Sequence, residues 1–242
     1  MRARPLLPLL AVTLSACAQN FYGSAAEWTH SDRAAIAADG IEELRLSSRQ
    51  GPIRLEAGAD DSIRVELRVG PALDPLGTTH TCDLGPYPPL VALEASGRRL
   101  RIATDLILPM ACVAEWVIVQ PAAVAAQAGV TAGHVTVTGL AGGVRVLVST
   151  GDITVRVTDG PVTAETGTGR IELIYDGGTF GGVTAETRTG SIGLFVNGNE
   201  RTHQRALGAG DAIKLDGPET NALRVSVHVG DILVRLGSAP PR

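Results

Sequence analysis

Val162-Thr-Ala-Glu-Thr-Gly-Thr-Gly-Arg-Ile-Glu-Leu173 recurs 21 residues later as Val183-Thr-Ala-Glu-Thr-Arg-Thr-Gly-Ser-Ile-Gly-Leu194. In both copies small or apolar residues alternate with polar ones on either side of a glycine, the pattern of a half-buried strand, a corner and a second strand. Anchored on the glycine that precedes an Ile or Val, the series runs Gly133, Gly151, Gly169, Gly190, Gly210 and Gly230, in steps of 18, 18, 21, 20 and 20 residues. The alternation stays in phase. Val144, Val146 and Val148 align with Val162, Ala164 and Thr166, with Val183, Ala185 and Thr187, and with Leu223, Val225 and Val227. Beyond the glycine, Ile153 and Val155 align with Ile171 and Leu173, Ile192 and Leu194, Ile213 and Leu215, and Ile232 and Val234. A fixed period of this length marks stacked units, none of which buries its apolar face alone. The expected fold is therefore all-β, a parallel β-solenoid (β-helix) with coils of about 20 residues, each strand lying over its predecessor. A sandwich of antiparallel hairpins ranks lower, because hairpins do not keep like residues in register at this period.

Upstream the pattern is less regular but still β-rich. Leu44-Arg45-Leu46, Ile53-Arg54-Leu55 and the run Ile63 to Val69 alternate strictly. A Pro-rich interruption from Pro71 to Pro89 separates them from expected strands at Leu90–Leu93, Leu100–Ala103 and Val113–Val119. Residues 17–40 read as a tether with a helical turn around Asp32 to Ala38, residues 41–237 as the β-solenoid domain, and 238–242 as a tail. The Thr-Gly-Asp-Ile and Thr-Gly-Ser-Ile corners, with the opening strand pair joined through Gly51, resemble the bacterial putative-adhesin domain of the toast-rack β-helix type. The resemblance covers residues 40–237. It implies an envelope β-helix of unknown function, and it brings no established catalytic residues.

With 44% hydrophobic residues the chain carries enough apolar material for a packed core, while a net charge of -4 argues against nucleic acid as a partner. At the N-terminus, Arg2 and Arg4 precede an apolar stretch from Leu6 to Leu14. That stretch is shorter than the roughly 18–20 residues a spanning helix needs, and fits a secretory signal over residues 1–16. Leu14-Ser15-Ala16-Cys17 resembles the lipobox of bacterial lipoproteins. That resemblance implies lipidation of Cys17 and a membrane held through the lipid anchor. Ala18 stands where an inner-membrane retention signal carries Asp, which implies the outer membrane, facing the periplasm or the cell surface. A plain secretory signal followed by a chance cysteine is the alternative. With Cys17 acylated, Cys82 and Cys112 are the remaining pair, and an exported chain favours a disulfide between them over a redox or metal site.

Standard catalytic and phosphate-binding signatures are absent from the sequence. No catalytic residue, metal site or cofactor is expected, and the five histidines read as surface residues. Glu165 and Glu186 occupy equivalent outward positions, as carboxylates do in solenoid lyases and hydrolases, but a repeated solvated face accounts for them, and few aromatics accompany them. The residues after the corner glycines are His134, Asp152, Arg170, Ser191, Asp211 and Asp231. Stacked in order, they place Asp152 between two cations and Asp211 beside Asp231. The run Asn197 to Ala209 breaks the coil pattern and reads as a projecting polar loop. Asn197, Asn199, Glu200, Arg201, His203 and Arg205 are candidates for contact with an envelope protein or polysaccharide. Two functions remain: a non-enzymatic envelope lipoprotein acting as an adhesin-like or scaffold module, or a carbohydrate-active enzyme on the same scaffold.

Overall fold

The computed structural model describes residues 28–71, 82, 91–103, 112–177 and 179–237. The expected signal sequence and Cys17 lie outside these residues. All regular structure among them is strand. In chain order the strands are β1 (His30–Ala37), β2 (Glu43–Gln50), β3 (Ile53–Gly58), β4 (Ser62–Pro71), β5 (Ala92–Ser96) and β6 (Arg99–Ala103). Next come β7 (Cys112–Pro121), β8 (Ala125–Ala132), β9 (Val135–Thr138), β10 (Val144–Thr150), β11 (Ile153–Val157) and β12 (Val162–Thr168). The chain ends with β13 (Ile171–Tyr175), β14 (Val183–Val196), β15 (Asn199–Leu215), β16 (Leu223–Val229) and β17 (Ile232–Leu236). They form one mixed sheet of 17 strands. Where the sequence suggested a helical turn near Asp32, β1 instead runs antiparallel to β4, so the sheet begins at His30.

Two columns of parallel strands run through this sheet. One passes from β6 through β2, β8, β10, β12 and β16 to the first half of β14. The other passes from β7 through β3, β9, β11, β13 and β17 to the second half of β14. Antiparallel strands finish both ends: β5 on β6, β4 on β7 with β1 on β4, and β15 along the whole of β14. The expected phase holds wherever parallel strands meet, as in Val144 over Val162, Val162 over Leu223, and Leu223 over Val183. The inward residues of both columns join one hydrophobic core. Ile153, Ile171, Ile232 and Ile192 lie within it, each fully or almost fully buried and each contributing about 1.5–3 kcal/mol.

The order of the layers departs from chain order. The pair β16–β17 lies between β12–β13 and β14, so the layer cornered at Gly230 sits beneath the one cornered at Gly190. In the same way β2 and β3 are inserted between β6 and β7 on one side and β8 and β9 on the other. Gly210 is not a corner of the stack. It lies in β15, whose Ile213 and Leu215 face Ala185 and Val183 across an antiparallel ladder. The spacing near 20 at that position is produced by a hairpin rather than by another coil.

At each true corner, backbone rests on backbone. A side chain at Gly51 would strike the Ala114 carbonyl, and Gly133, Gly151, Gly169, Gly230 and Gly190 each back onto the glycine of the preceding layer. Gly151 and Gly169 also adopt φ of +138° and +149°, where a Cβ is strained irrespective of space. Amide hydrogen bonds tie the corners together: Gly151 N–H donates to Thr168 O, and Gly169 N–H to Val229 O. Buried Thr166 and Thr187 point inward where other layers carry valine, and their hydroxyls donate to the carbonyls of Gly151 and Gly230. The repeated Ala-Glu-Thr is thus a corner fastening.

At the β1 end, charged side chains do the joining. Glu66 accepts from Arg68, Arg33 and Ser31, and the buried Glu115 accepts from Arg54 and Arg68. Arg68 above all, with Arg33 and Ser31, holds the Glu66 carboxyl down at about 2 against the opposing effect of partial desolvation. Because the folded value lies below the ordinary 4.5, this contribution is complete above about pH 4.5 and disappears as pH falls toward 2.

Two outcomes follow from this geometry. Gly169→Ala should lower the unfolding free energy by about 2–4 kcal/mol through strain and overpacking. Gly97→Ala, at φ +60° in a turn with nothing within 4 Å of the added carbon, should cost only about 1 kcal/mol. Urea titration of both variants measures the difference. Glu66→Gln should melt below the parent at pH 7, with the gap closing as pH is lowered toward 2; a gap constant across that range would show that Glu66 is not the titrating group.

Candidate functional site

On the solvent side of the first column, the outward residues fall into rows that cross the strands. One row reads Arg145, Thr163, Arg224, Thr184 and Lys214, and the next reads Leu147, Glu165, Ser226, Glu186 and Ala212. Adjacent strands lie about 4.8 Å apart, so Glu165 and Glu186 are separated by two strand spacings, with Ser226 between them. They are not immediate neighbours, as the order of repeats in the chain had suggested. Small residues in the floor, including Gly167, Ser149 and Ser226, leave a trough of about 940 Å³, closed on one side by Gly210, Asp211 and Ala212 of β15. A second depression of about 410 Å³ shares Glu165, Glu186 and Ser226 and reaches Arg145 and Arg224. The two form one continuous surface.

Charged side chains on this trough stand unpaired, as exposed Arg49 and Arg170 also do elsewhere among the described residues, while many other arginines are bridged. Arg33, Arg54, Arg64, Arg99, Arg101, Arg156 and Arg235 are each within 4 Å of a carboxylate. Arg145, Arg188, Arg224, Glu165 and Glu186 are exposed on the trough and make no ion pair among the described residues. Opposite charges on neighbouring strands are within reach of one another there, yet each stays open to solvent. The lining is hydroxyl, carboxylate, guanidinium and imidazole, with Leu147 and Val227 the main apolar parts. Small-molecule pockets are mostly apolar and enclosed. This surface suits an extended polar ligand instead.

The other residues singled out from sequence fall in distinct places. Cys82 and Cys112 form a disulfide, with Cα atoms 5.1 Å apart. It fastens Cys82 to the start of β7, where Cys112 faces Pro71 of β4. The expected projecting loop from Asn197 to Ala209 is not a loop. Asn197 and Gly198, at φ +51° and +77°, make a two-residue turn with both dihedrals positive, the form that Asn-Gly favours in hairpins. Asn199, Glu200, Arg201, His203 and Arg205 then lie in β15, whose described backbone pairs only with β14. That dipeptide was the available signal for the hairpin.

The column of residues after the corners is likewise reordered. Asp152 lies between His134 and Arg170 as expected, its N–H donating to His134 Nδ1 and its carboxylate accepting from the Arg170 N–H. Asp231, however, accepts from the N–H and hydroxyl of Ser191, and Asp211 is opposite Thr187 on the hairpin. The two aspartates are not stacked. No group of three or more potential metal ligands occurs among the described residues. In the second column, Tyr175 is buried with the single proton of its hydroxyl shared between Thr179 O at 3.2 Å and Asp159 Oδ1 at 3.4 Å. Burial, and then the Asp159 charge, push this phenol above its ordinary value.

No family model matches the chain, and no curated protein matches it. A solved structure named "putative cell adhesion protein", from Clostridium sporogenes, is similar over 86% of this chain and 99% of its own, with a TM-score of 0.54 and 14% identity. A likeness at that identity establishes the shared all-β fold. A second structure, named "putative adhesin" and from Bacteroides fragilis, covers 86% of this chain and 98% of its own at 10% identity, but its TM-score of 0.35 carries no argument.

Closing a loop across 30 residues contributes about 3–4 kcal/mol in the chain-entropy account. Non-reducing peptide mapping should recover the Cys82–Cys112 linked peptide, and Cys82→Ser should unfold at correspondingly lower urea. Two freely alkylated thiols in protein taken from an oxidising compartment would contradict the pairing.

Proposed function

We propose that this chain is a non-enzymatic, lipid-anchored protein of the bacterial cell envelope, with a rigid parallel β-solenoid body that serves as an adhesin-like or scaffold module. The observation that carries the reading is the trough on the first column, where charged side chains remain unpaired on a face whose backbone hydrogen bonds are already used within the sheet. A surface of this kind presents side chains at fixed spacing and needs little ordering when it meets a partner. The solenoid description draws support from the two parallel columns, with antiparallel strands confined to their ends; the out-of-order insertion of β16–β17 is a departure from simple winding. The fold shared with a protein named for cell adhesion is consistent with this use.

The anchor rests on Leu14-Ser15-Ala16-Cys17. Diacylglycerol and an added acyl chain at Cys17 would hold the protein stably, since each buried methylene contributes about 0.8 kcal/mol and a single chain is marginal. Ala18 favours the outer membrane, with the body facing the periplasm or the cell surface. Asn197, Asn199, Glu200, Arg201, His203 and Arg205 keep their assignment as contact residues, now along the hairpin that ends the stack. The partner is an envelope protein or polysaccharide.

Expression of the whole chain in a diderm host tests the anchor. The parent should sediment with membranes after a salt wash and carry acyl groups on the peptide beginning at Cys17, whereas Cys17→Ala should accumulate as precursor or soluble protein. Retention of Cys17→Ala on washed membranes would refute lipid anchoring.

A further inference from the structure

We propose that the trough binds an extended zwitterionic glycan, a chain of sugars carrying both amine and carboxylate groups; this rests on the reading of a non-enzymatic binding face. Followed strand by strand along the stack, the unpaired charges of the two central rows alternate in sign, Arg145 on β10, Glu165 on β12, Arg224 on β16 and Glu186 on β14, and Arg188, two residues beyond Glu186 on β14, adds a further positive charge at that end. Like charges therefore recur at every second strand, about 9.6 Å apart, a distance spanned by two pyranose units. A ligand with alternating charge meets a partner at each step. A polyanion would satisfy the arginines while facing Glu165 and Glu186, and a polycation would meet the converse difficulty.

The floor favours sugar over peptide. Thr163, Thr184 and Ser226 offer hydroxyls between the charges, matching a ligand rich in hydroxyls of its own. The backbone donors and acceptors of β10, β12, β16 and β14 are engaged on both sides, so an incoming peptide lying over these strands finds no edge to extend. Nor does the lining contain an aromatic or deep apolar recess to receive peptide side chains. The trough crosses β10, β12, β16, β14 and β15, which gives it the length for several sugars.

Calorimetric titration of the purified whole chain at low ionic strength, with partly N-succinylated chitohexaose as the probe, tests this. Saturable binding is expected, and the double variants Arg145→Gln/Arg224→Gln and Glu165→Gln/Glu186→Gln should each bind about tenfold or more weakly, the scale of one lost charge-assisted hydrogen bond. Their melting temperatures should match the parent's, and Glu172→Gln/Arg235→Gln, a bridged pair on the other column, should leave binding unchanged. The proposal fails if no saturable binding is seen, or if hexagalacturonate or unmodified chitosan hexamer binds as tightly as the zwitterion. It also fails if an alternating Glu-Lys peptide binds more tightly. Chromatography of the recovered probe separates the two readings. An intact probe that bound supports both, and a cleaved one upholds the ligand class while overturning the non-enzymatic reading. Absence of binding by a protein that still acquires its anchor defeats this proposal alone.

Discussion

Carbonyl oxygens packed directly against the glycine α-carbons of the next layer set the geometry of this molecule. Parallel strands hydrogen-bond at about 4.8 Å, and a chain that turns a corner at that spacing leaves no room for a side chain above the turn. Gly51, Gly133, Gly151, Gly169, Gly230 and Gly190 meet this requirement in succession. With the corners superimposed, both columns are locked in register, and valine falls over valine and isoleucine over isoleucine without further instruction. The alternating outward residues then become straight rows across the strands. The charge pattern of the trough is thus a product of corner geometry.

Much of this was legible in the amino-acid sequence, because a period of two and a period of about 20 both reflect simple repeat geometry. β1 reads as a helical turn and most of β15 as a loop, but most other strands, their phase, the corners at Gly133, Gly151, Gly169, Gly190 and Gly230 and the Cys82–Cys112 pair could be read directly. The order of the layers could not. Inward residues in every layer are small aliphatics of similar size, so Val162 packs as well beneath Leu223 as beneath Val183, and local pattern contains nothing to choose between them. Gly210 misled for a related reason: Gly-Asp followed closely by an isoleucine mimics a corner, while the Asn197–Gly198 turn upstream had already reversed the chain. The site suffered the same fate as the layer order. Glu165 and Glu186 were recognisable as outward residues, but Arg224, Ser226 and His228 reach them only because β16 is inserted between their strands.

Charge is used in two ways along the stack. Near β1 and β4, Glu66 and Glu115 gather arginines from separate strands and bind the terminal antiparallel strands to the columns. Toward β14, arginines and glutamates of equal reach stand apart. The first arrangement consumes its charge in cohesion, and the second keeps it for the solvent side. The same repeating scaffold supports both because its backbone ladders and inward side chains hold the layers together in either case.

The interior position of β16–β17 has a consequence for how the protein comes to exist. These are the last of the described strands in sequence, yet they occupy a layer with parallel neighbours on both sides. During synthesis the hairpin β14–β15 emerges before the layer that joins it to β12 and β13. The stack therefore cannot close strictly in the order of synthesis; it is completed only when β16 and β17 arrive and fill the gap. Loss of β16 and β17 would not trim a terminal coil but would remove a middle one, and with it the strands through which β14 pairs with the stack. Presence of β16 and β17 is thereby a condition of the fold, and a product that stops before Leu223 lacks the layer that holds β14 in the stack.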